Sequence, residues 1–312
     1  MPTVLITGGT GLIGTALTGL LVSRGYQVII MGRSKPRRQA DAESSAIRYA
    51  TWDIKGQTID REAVGQADYI IHLAGAGVAD KRWTAARKKE ILDSRRLGSA
   101  LIVDALRQCP NRVRAVISAS AIGWYGPDAP PANPAPFVES DPADPSFLGH
   151  TCRVWEESIL PVEGLSKRLV LLRTGIVLSR AGGALPAFIK PVRMGVAAIL
   201  GSGRQIISWV HMDDLCRMYV EAMENQQWQG IYNAVSPHPV SNRELTLELA
   251  RMMKGKFYIP LHVPQWVLKL MMGELSIEVL KSATVSADKV RNAGFQFLFP
   301  TIHAALGDLV NQ

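Results

Sequence analysis

The sequence predicts an α/β protein: a doubly wound, mainly parallel sheet with a smaller C-terminal α+β lobe. Three observations predict it. Short apolar runs of strand length alternate with helix-patterned segments through the first half of the chain. Those runs are nearly continuous in apolar residues, as strands covered by helices on both faces must be. The first run, Thr3-Val4-Leu5-Ile6, feeds the loop Thr7-Gly8-Gly9-Thr10-Gly11-Leu12-Ile13-Gly14, whose glycines are spaced G-x-x-G-x-x-G.

That loop carries the first functional signal. Its first glycine permits a tight turn, Gly11 lets backbone approach a pyrophosphate, and Gly14 lets helix and strand pack closely. Leu17, Leu20 and Leu21 then follow helical spacing. Phosphates would sit on the free N–H groups at the positive end of that helix. Gly8, Thr10, Gly11, Leu12, Ile13 and Gly14 are therefore candidate cofactor-binding residues. The competing reading is an ordinary glycine-rich turn, and the strand before and helix after argue against it.

Tyr26 to Met31 reads as the second strand. An NAD site usually places Asp or Glu here, about 20 residues beyond the glycine loop, on the ribose 2′-hydroxyl. No acid stands there. Gly32-Arg33-Ser34-Lys35 follows, then Arg37 and Arg38. A guanidinium grips a 2′-phosphate in bidentate fashion where a carboxylate would repel it. Arg33, supported by Ser34 and Lys35 or Arg37, thus favours NADP(H) over NAD(H). A solvated basic loop is the alternative.

Ile47 to Trp52 reads as a third strand ending at Asp53, and Asp68 to Leu73 as a fourth running into Ala74-Gly75-Ala76-Gly77. A long helix is predicted from Thr84 to Gln108. Val113 to Ser118 and Arg168 to Arg173 make the fifth and sixth strands. Ligands bind beyond the carboxyl ends of such strands, and Gly75, Ser118 to Ser120 and Arg173 to Gly175 fall there. Pro127 to Pro145 reads as an irregular loop. After residue 175 glycines punctuate the chain. Helices are predicted over Pro186–Arg193, Asp213–Asn225 and Asn242–Lys254, with Asn242 as N-cap, and a short strand over Gly230–Ala234. From Val263 onward the pattern is mostly helical, with Pro300 opening the last helix. The expected division is a Rossmann-type cofactor domain over 1–175 and a substrate-side lobe over 176–312.

Composition excludes several classes. The chain has 312 residues, 47% of them apolar and 20% charged, ordinary for a globular protein. Its net charge of +8 raises nucleic-acid binding. The basic cluster at Arg33–Arg38 has a cofactor explanation, however, and the one from Lys81 to Arg96 is a mixed helix face. No nucleic-acid partner is expected. Cys109, Cys152 and Cys216 are far apart and form no C-x-x-C pair, which fits reduced thiols and no metal framework. The first strand opens at residue 3, and Lys190, Pro191 and Arg193 break the most apolar late stretch. A cytoplasmic protein without a membrane span is expected.

The motifs together resemble the extended short-chain dehydrogenase/reductase superfamily, and within it the atypical epimerase-family branch related to the human family 39U member and to proteins labelled SulA-like. His72-Leu73-Ala74-Gly75, Arg82-Trp83, Ser94-Arg95, Ser118-Ala119-Ser120-Ala121 with Tyr125-Gly126, Cys152-Arg153-Val154-Trp155-Glu156, Arg173-Thr174-Gly175, Gly201-Ser202-Gly203-Arg204-Gln205 and Ser208-Trp209-Val210-His211-Met212-Asp213-Asp214 carry the resemblance. It covers essentially the whole chain. It implies NADP(H) contacts at Leu73, Ala74 and Gly75, and adenine at Asp53, whose competing reading is a capping carboxylate. It also implies a ligand contact at Arg173, against structural pairing.

Superfamily chemistry uses Ser/Thr, Tyr and Lys, the last two at Y-x-x-x-K on one helix face. Ser120 matches the Ser/Thr position. The positions expected to hold Tyr and Lys carry Leu148 and Cys152, and no Y-x-x-x-K occurs in the chain. Tyr125, after the same strand end, and His150, on the helix that should carry the pair, are the substitute acids to weigh against packing and exposed-surface roles. Cys152 as a nucleophile competes with a buried inert thiol. His211 with Asp213 and Asp214 reads as a capped helix start rather than a metal cluster. Two functions remain: an NADP(H)-dependent oxidoreductase or epimerase of a small carbonyl or hydroxy substrate, or a nucleotide-binding sensor acting through a protein partner.

Overall fold

The computed structural model describes residues 1–34, 45–129 and 135–311. The chain opens with β1 (Thr3–Thr7), α1 (Leu12–Ser23), β2 (Gln27–Gly32), β3 (Ile47–Asp53), β4 (Thr58–Ile59), α2 (Arg61–Gln66) and β5 (Tyr69–His72). Then come α3 (Ala85–Gln108), β6 (Ala115–Ala121), a 3₁₀ turn at Ile122–Trp124, α4 (Phe147–Ile159) and β7 (Arg168–Thr174). The second half holds β8 (Ile176–Ser179), β9 (Gly182–Gly183), α5 (Leu185–Arg193), β10 (Val196–Leu200), β11 (Ile206–Ile207), β12 (Trp209–His211), α6 (Met212–Glu224) and β13 (Gly230–Ala234). It closes with β14 (Val240–Ser241), α7 (Asn242–Lys254), β15 (Ile259–Val263), α8 (Gln265–Met272), α9 (Leu275–Leu280), α10 (Asp288–Asn292) and α11 (Ile302–Asn311).

The main sheet runs β13-β7-β6-β5-β1-β2-β3-β4. Every pairing from β13 to β3 is parallel, and β4 turns back antiparallel on β3. The strand order reverses at β1, which lies between β2 and β5. That is where a doubly wound sheet opens its ligand crevice.

Alternate residues of each strand feed opposite faces. Val4 and Ile6 pack with Leu17 and Leu21 of α1 and Leu215, Met218 and Tyr219 of α6. Leu5 and Ile29 pack with Val64 of α2 and Leu101, Ile102 and Leu106 of α3. A third core, with Leu178, Leu185, Trp209, Leu245, Leu249 and Leu306, holds the second half together.

The long-element predictions hold to within a few residues. Three details differ. The N-cap of α7 is Ser241, whose hydroxyl accepts from the Glu244 N–H; Asn242 instead accepts from the Leu200 N–H and ties α7 to β10. Thr301, not Pro300, caps α11 through the Ala304 N–H. β15 lies just ahead of the predicted helical tail, in a stretch the sequence reading leaves unassigned. Residues 259–262 are exposed on both faces, so the strand leaves no buried alternation for a sequence reading to find. The division at residue 175 is also crossed: β13 pairs with β7, and α6 covers the same sheet face as α1.

Candidate functional site

The glycine loop sits at the carboxyl end of β1, against the segment that leaves β5. Gly8 has φ +73°, a backbone conformation that favours glycine. A Cβ on it would lie 3.0 Å from the Ala74 nitrogen. Gly11 turns the chain, its N–H donating to the Gly8 carbonyl at 3.0 Å. A Cβ on Gly14 would meet the Gly8 carbonyl oxygen at 2.3 Å and the Gly9 Cα at 2.6 Å, so the helix can approach the loop only here.

Gly11 is the N-cap of α1, and no side chain caps it. The first N–H groups of α1 are left for a ligand. This cradle of bare amides at a helix N-terminus fits a dinucleotide pyrophosphate. Thr10 and Gly11 are exposed above it, while Leu12 and Ile13 are half-buried. The backbone of Leu73 and Ala74 is pinned alongside: the Leu73 N–H donates to the Thr7 carbonyl (3.1 Å) and the Ala74 N–H to the Thr7 hydroxyl (3.3 Å).

Arg33 and Ser34 lie exposed just past the carboxyl end of β2. That position suits a 2′-phosphate on a ribose whose pyrophosphate lies over α1. Lys35, Arg37 and Arg38 fall outside the described residues. Asp53 ends β3, and its Oδ1 accepts from the Lys55 N–H at 2.9 Å. The capping reading accounts for that oxygen.

The opposite end of the crevice is built differently. Ser120 on β6 faces Arg173 on β7 in register. The Ser120 hydroxyl donates to Glu156 Oε1 at 2.6 Å. Arg173 grips Glu156 with Nε on Oε1 (2.8 Å) and Nη2 on Oε2 (2.9 Å), both side chains being 5% exposed or less. Its Nη1 donates to the Tyr125 hydroxyl (3.0 Å) and the Glu139 carbonyl (3.1 Å), and its guanidinium lies 3.7 Å above the Trp124 ring. The Tyr125 hydroxyl donates to Asn233 Oδ1 at 2.7 Å.

These contacts bear on four expectations. Arg173 is held in a buried ion pair, as the structural-pairing alternative expects, because a buried guanidinium needs its counter-charge. Tyr125 is fully buried, its hydroxyl is tied to Asn233 and Arg173, and burial pushes its phenol up to about 12. His150 lies on the solvent face of α4 beside Arg153, while Cys152, Trp155 and Glu156 face inward; it is not brought to Ser120. Ser120 sits at the expected strand end, but its proton is directed to Glu156.

Cys152 is buried, and burial pushes its thiol up to about 12; it is the inert thiol. His72 is buried between the Thr7 hydroxyl (2.7 Å) and the Ser99 hydroxyl (3.2 Å), and burial pulls it down to about 3. The His211 Nδ1 accepts from the Asp213 N–H, and Asp214 accepts from the Leu298 and Phe299 N–H groups. No group of metal-ligating side chains occurs among the described residues. No helix among them is long and apolar enough to cross a membrane.

Sequence reasoning missed Glu156, Glu139 and Asn233 as partners. A signal existed for Glu156: it stands four residues after Cys152, on the buried face of an amphipathic helix. An acid there needs a buried cation, and Arg173, buried at the end of an apolar strand, needs a buried acid.

A parallel sheet reversing at β1, with a glycine cradle and a bare helix N-terminus at the reversal, defines a dinucleotide-binding α/β protein. The NAD dependent epimerase/dehydratase family model matches residues 4–234, and a domain of unknown function, DUF1731, matches residues 263–309. The epimerase family protein YfhF of Bacillus subtilis is 31% identical, over 98% of this chain and 97% of its own. The human epimerase family protein SDR39U1 is also 31% identical, over 98% and 99%. A crystal structure of human SDR39U1 with NADPH superposes with a TM-score of 0.85 at 30% identity, covering 98% of each chain. The chain belongs to the NAD dependent epimerase/dehydratase family, in the SDR39U1-like branch of the extended short-chain dehydrogenases/reductases.

Proposed function

We propose that this chain binds NADP(H) and uses it for hydride transfer to or from a small carbonyl or hydroxy compound. The observation that carries the reading is the cradle: Gly8, Gly11 and Gly14 hold the bare N-terminus of α1 open at the sheet's switch point, with Arg33 one strand further on. The NADPH bound to human SDR39U1 supports the choice of cofactor. In this reading Gly11, Leu12 and Ile13 hold the pyrophosphate, Arg33 and Ser34 the 2′-phosphate, and the backbone of Leu73 to Gly75 the side of the cofactor over β5. The bound nicotinamide would supply or accept the hydride. In this reading Ser120, at the end of β6, orients a substrate oxygen once its hydroxyl turns from Glu156 toward that oxygen.

The network around Arg173 favours a second reading. Tyr125 and Ser120 spend their protons on protein acceptors, as expected of a cofactor-binding sensor that acts through a protein partner. One experiment separates the two. A panel of carbonyl compounds is screened by NADPH absorbance, with Ser120→Ala as control. Turnover that drops with Ser120→Ala supports the enzyme; saturable NADPH binding with no turnover across the panel supports the sensor. Equal affinity for NADH and NADPH would remove the NADP(H) assignment.

A further inference from the structure

One cation at the β5–β6 end of the crevice keeps unused donors. Arg95, in α3, spends only Nη1, which donates to the Ala76 carbonyl (2.9 Å) and the Ile91 carbonyl (3.0 Å). Nε and Nη2 make no hydrogen bond among the described residues. Its guanidinium lies 4.8 Å from the centre of the Trp155 ring of α4, a cation–π contact. It also lies close against the chain leaving β5, where a Cβ on Gly75 would stand 3.1 Å from its Cζ. Among the described residues Arg95 forms no ion pair.

Several neighbouring cations have partners among the described residues, although Arg87 keeps a buried Nε without one. Arg173 is paired with Glu156. Arg87 is paired with Glu90 and Asp80 and donates to the Gly77 carbonyl. Lys88 is paired with Glu274 and Lys281 with Glu278. Arg82 donates to the Leu270 carbonyl.

The sheet order says what reaches Arg95. A dinucleotide lying across the β1 switch point puts one nucleoside over β2 and β3 and the other over β5 and β6. Arg33 marks the adenosine side, so the nicotinamide side lies at Gly75. We infer that Arg95 grips the nicotinamide-side ribose of the dinucleotide, its free Nε and Nη2 donating to ribose oxygens. This rests on the NADP(H) reading above and adds a residue to it. The cation comes from α3 and not from α4, where Cys152 stands close enough for the Arg95 charge to act on its thiol.

The test uses two ligands on the full chain. Intrinsic fluorescence is titrated with NADPH and with adenosine 2′,5′-bisphosphate, which lacks the nicotinamide riboside and the phosphate that carries it. Arg95→Ala is expected to weaken NADPH about tenfold or more, the range of a lost charge-assisted bond, and to leave the bisphosphate within about twofold. Arg33→Ala is expected to weaken both. Arg95→Lys, which keeps the cation and the fold, is expected to weaken NADPH less than the alanine variant and again to spare the bisphosphate; it decides the matter should Arg95→Ala not fold. NADPH affinity unchanged in both Arg95 variants overturns the inference and leaves the cofactor reading standing. Equal loss of the two ligands also overturns it, because the effect is then structural. If the unmodified chain binds neither ligand, the cofactor reading falls and the inference with it.

Discussion

The two ends of the crevice are built from similar polar material with opposite economy. At β1 and β2 the amides of α1 are uncapped and Arg33 stands in solvent. At β6 and β7 a serine, a tyrosine, an arginine and a glutamate satisfy one another in the dark. Unspent donors describe a binding surface; spent ones describe a scaffold. Residue type alone does not separate these cases, since Arg33 and Arg173 are both arginines at strand ends. What separates them is Glu156.

The comparison breaks most visibly at that carboxylate. Glu156→Ala leaves Arg173 buried without its counter-charge and is expected to cost about 3–5 kcal/mol of stability, read as a lowered denaturant midpoint. A cost below about 1 kcal/mol would mean that water reaches the pair and that this end is not a scaffold.

Arg33→Ala comes next and acts on binding instead. It is expected to cost about 1.5–3 kcal/mol of NADPH affinity with little change for NADH or for the melting temperature. Parallel losses for the two nucleotides would place the 2′-phosphate elsewhere.

Tyr125→Phe removes one hydroxyl from the closed network and leaves Asn233 Oδ1 without its donor. The expected cost is about 1–3 kcal/mol of stability, with NADPH affinity unmoved. A turnover defect without a stability defect would return Tyr125 to the chemistry.

His72 gives the smallest effect per step and marks the seam between the ends. Its folded value of about 3 lies below the ordinary value of about 6.5. The unfolded chain therefore takes up the proton first. His72 is fully compatible with folding above pH about 6.5, and stability is lost as pH falls from there toward 3, by about 1.4 kcal/mol per pH unit. Unfolding curves between pH 4 and 6 check this, with His72→Gln expected to flatten the slope.

Much of the fold was legible because its causes are local. The strands of the main sheet are apolar runs bounded by turns, and Gly8, Gly11 and Gly14 sit where backbone meets backbone. β15 was not legible, because both its faces are exposed and no burial pattern is imposed on it. The site divides in the same way. The glycine loop before α1 is contiguous in sequence, and its tight packing reads directly. The roles of Tyr125, Arg173 and Ser120 depend on Glu156, Asn233 and Glu139, which arrive from a helix, a late strand and a loop. His150 was misplaced for a simpler reason: two residues before Cys152 on a helix is close to the opposite face.

The return of β13 to the main sheet has a consequence for how the chain is made. β7 ends at Thr174, and its edge stays unpaired until Gly230–Ala234 is available. Fifty-five residues separate the two, so a ribosome exposes an apolar, parallel-pairing edge while the intervening stretch is still being synthesised. At ordinary elongation rates of about 5–20 residues per second, that interval lasts several seconds. Open edges of this kind recruit other chains. The nascent protein is thus most vulnerable at mid-synthesis, and a fragment ending at residue 175 is expected to self-associate where one ending after Ala234 stays dispersed.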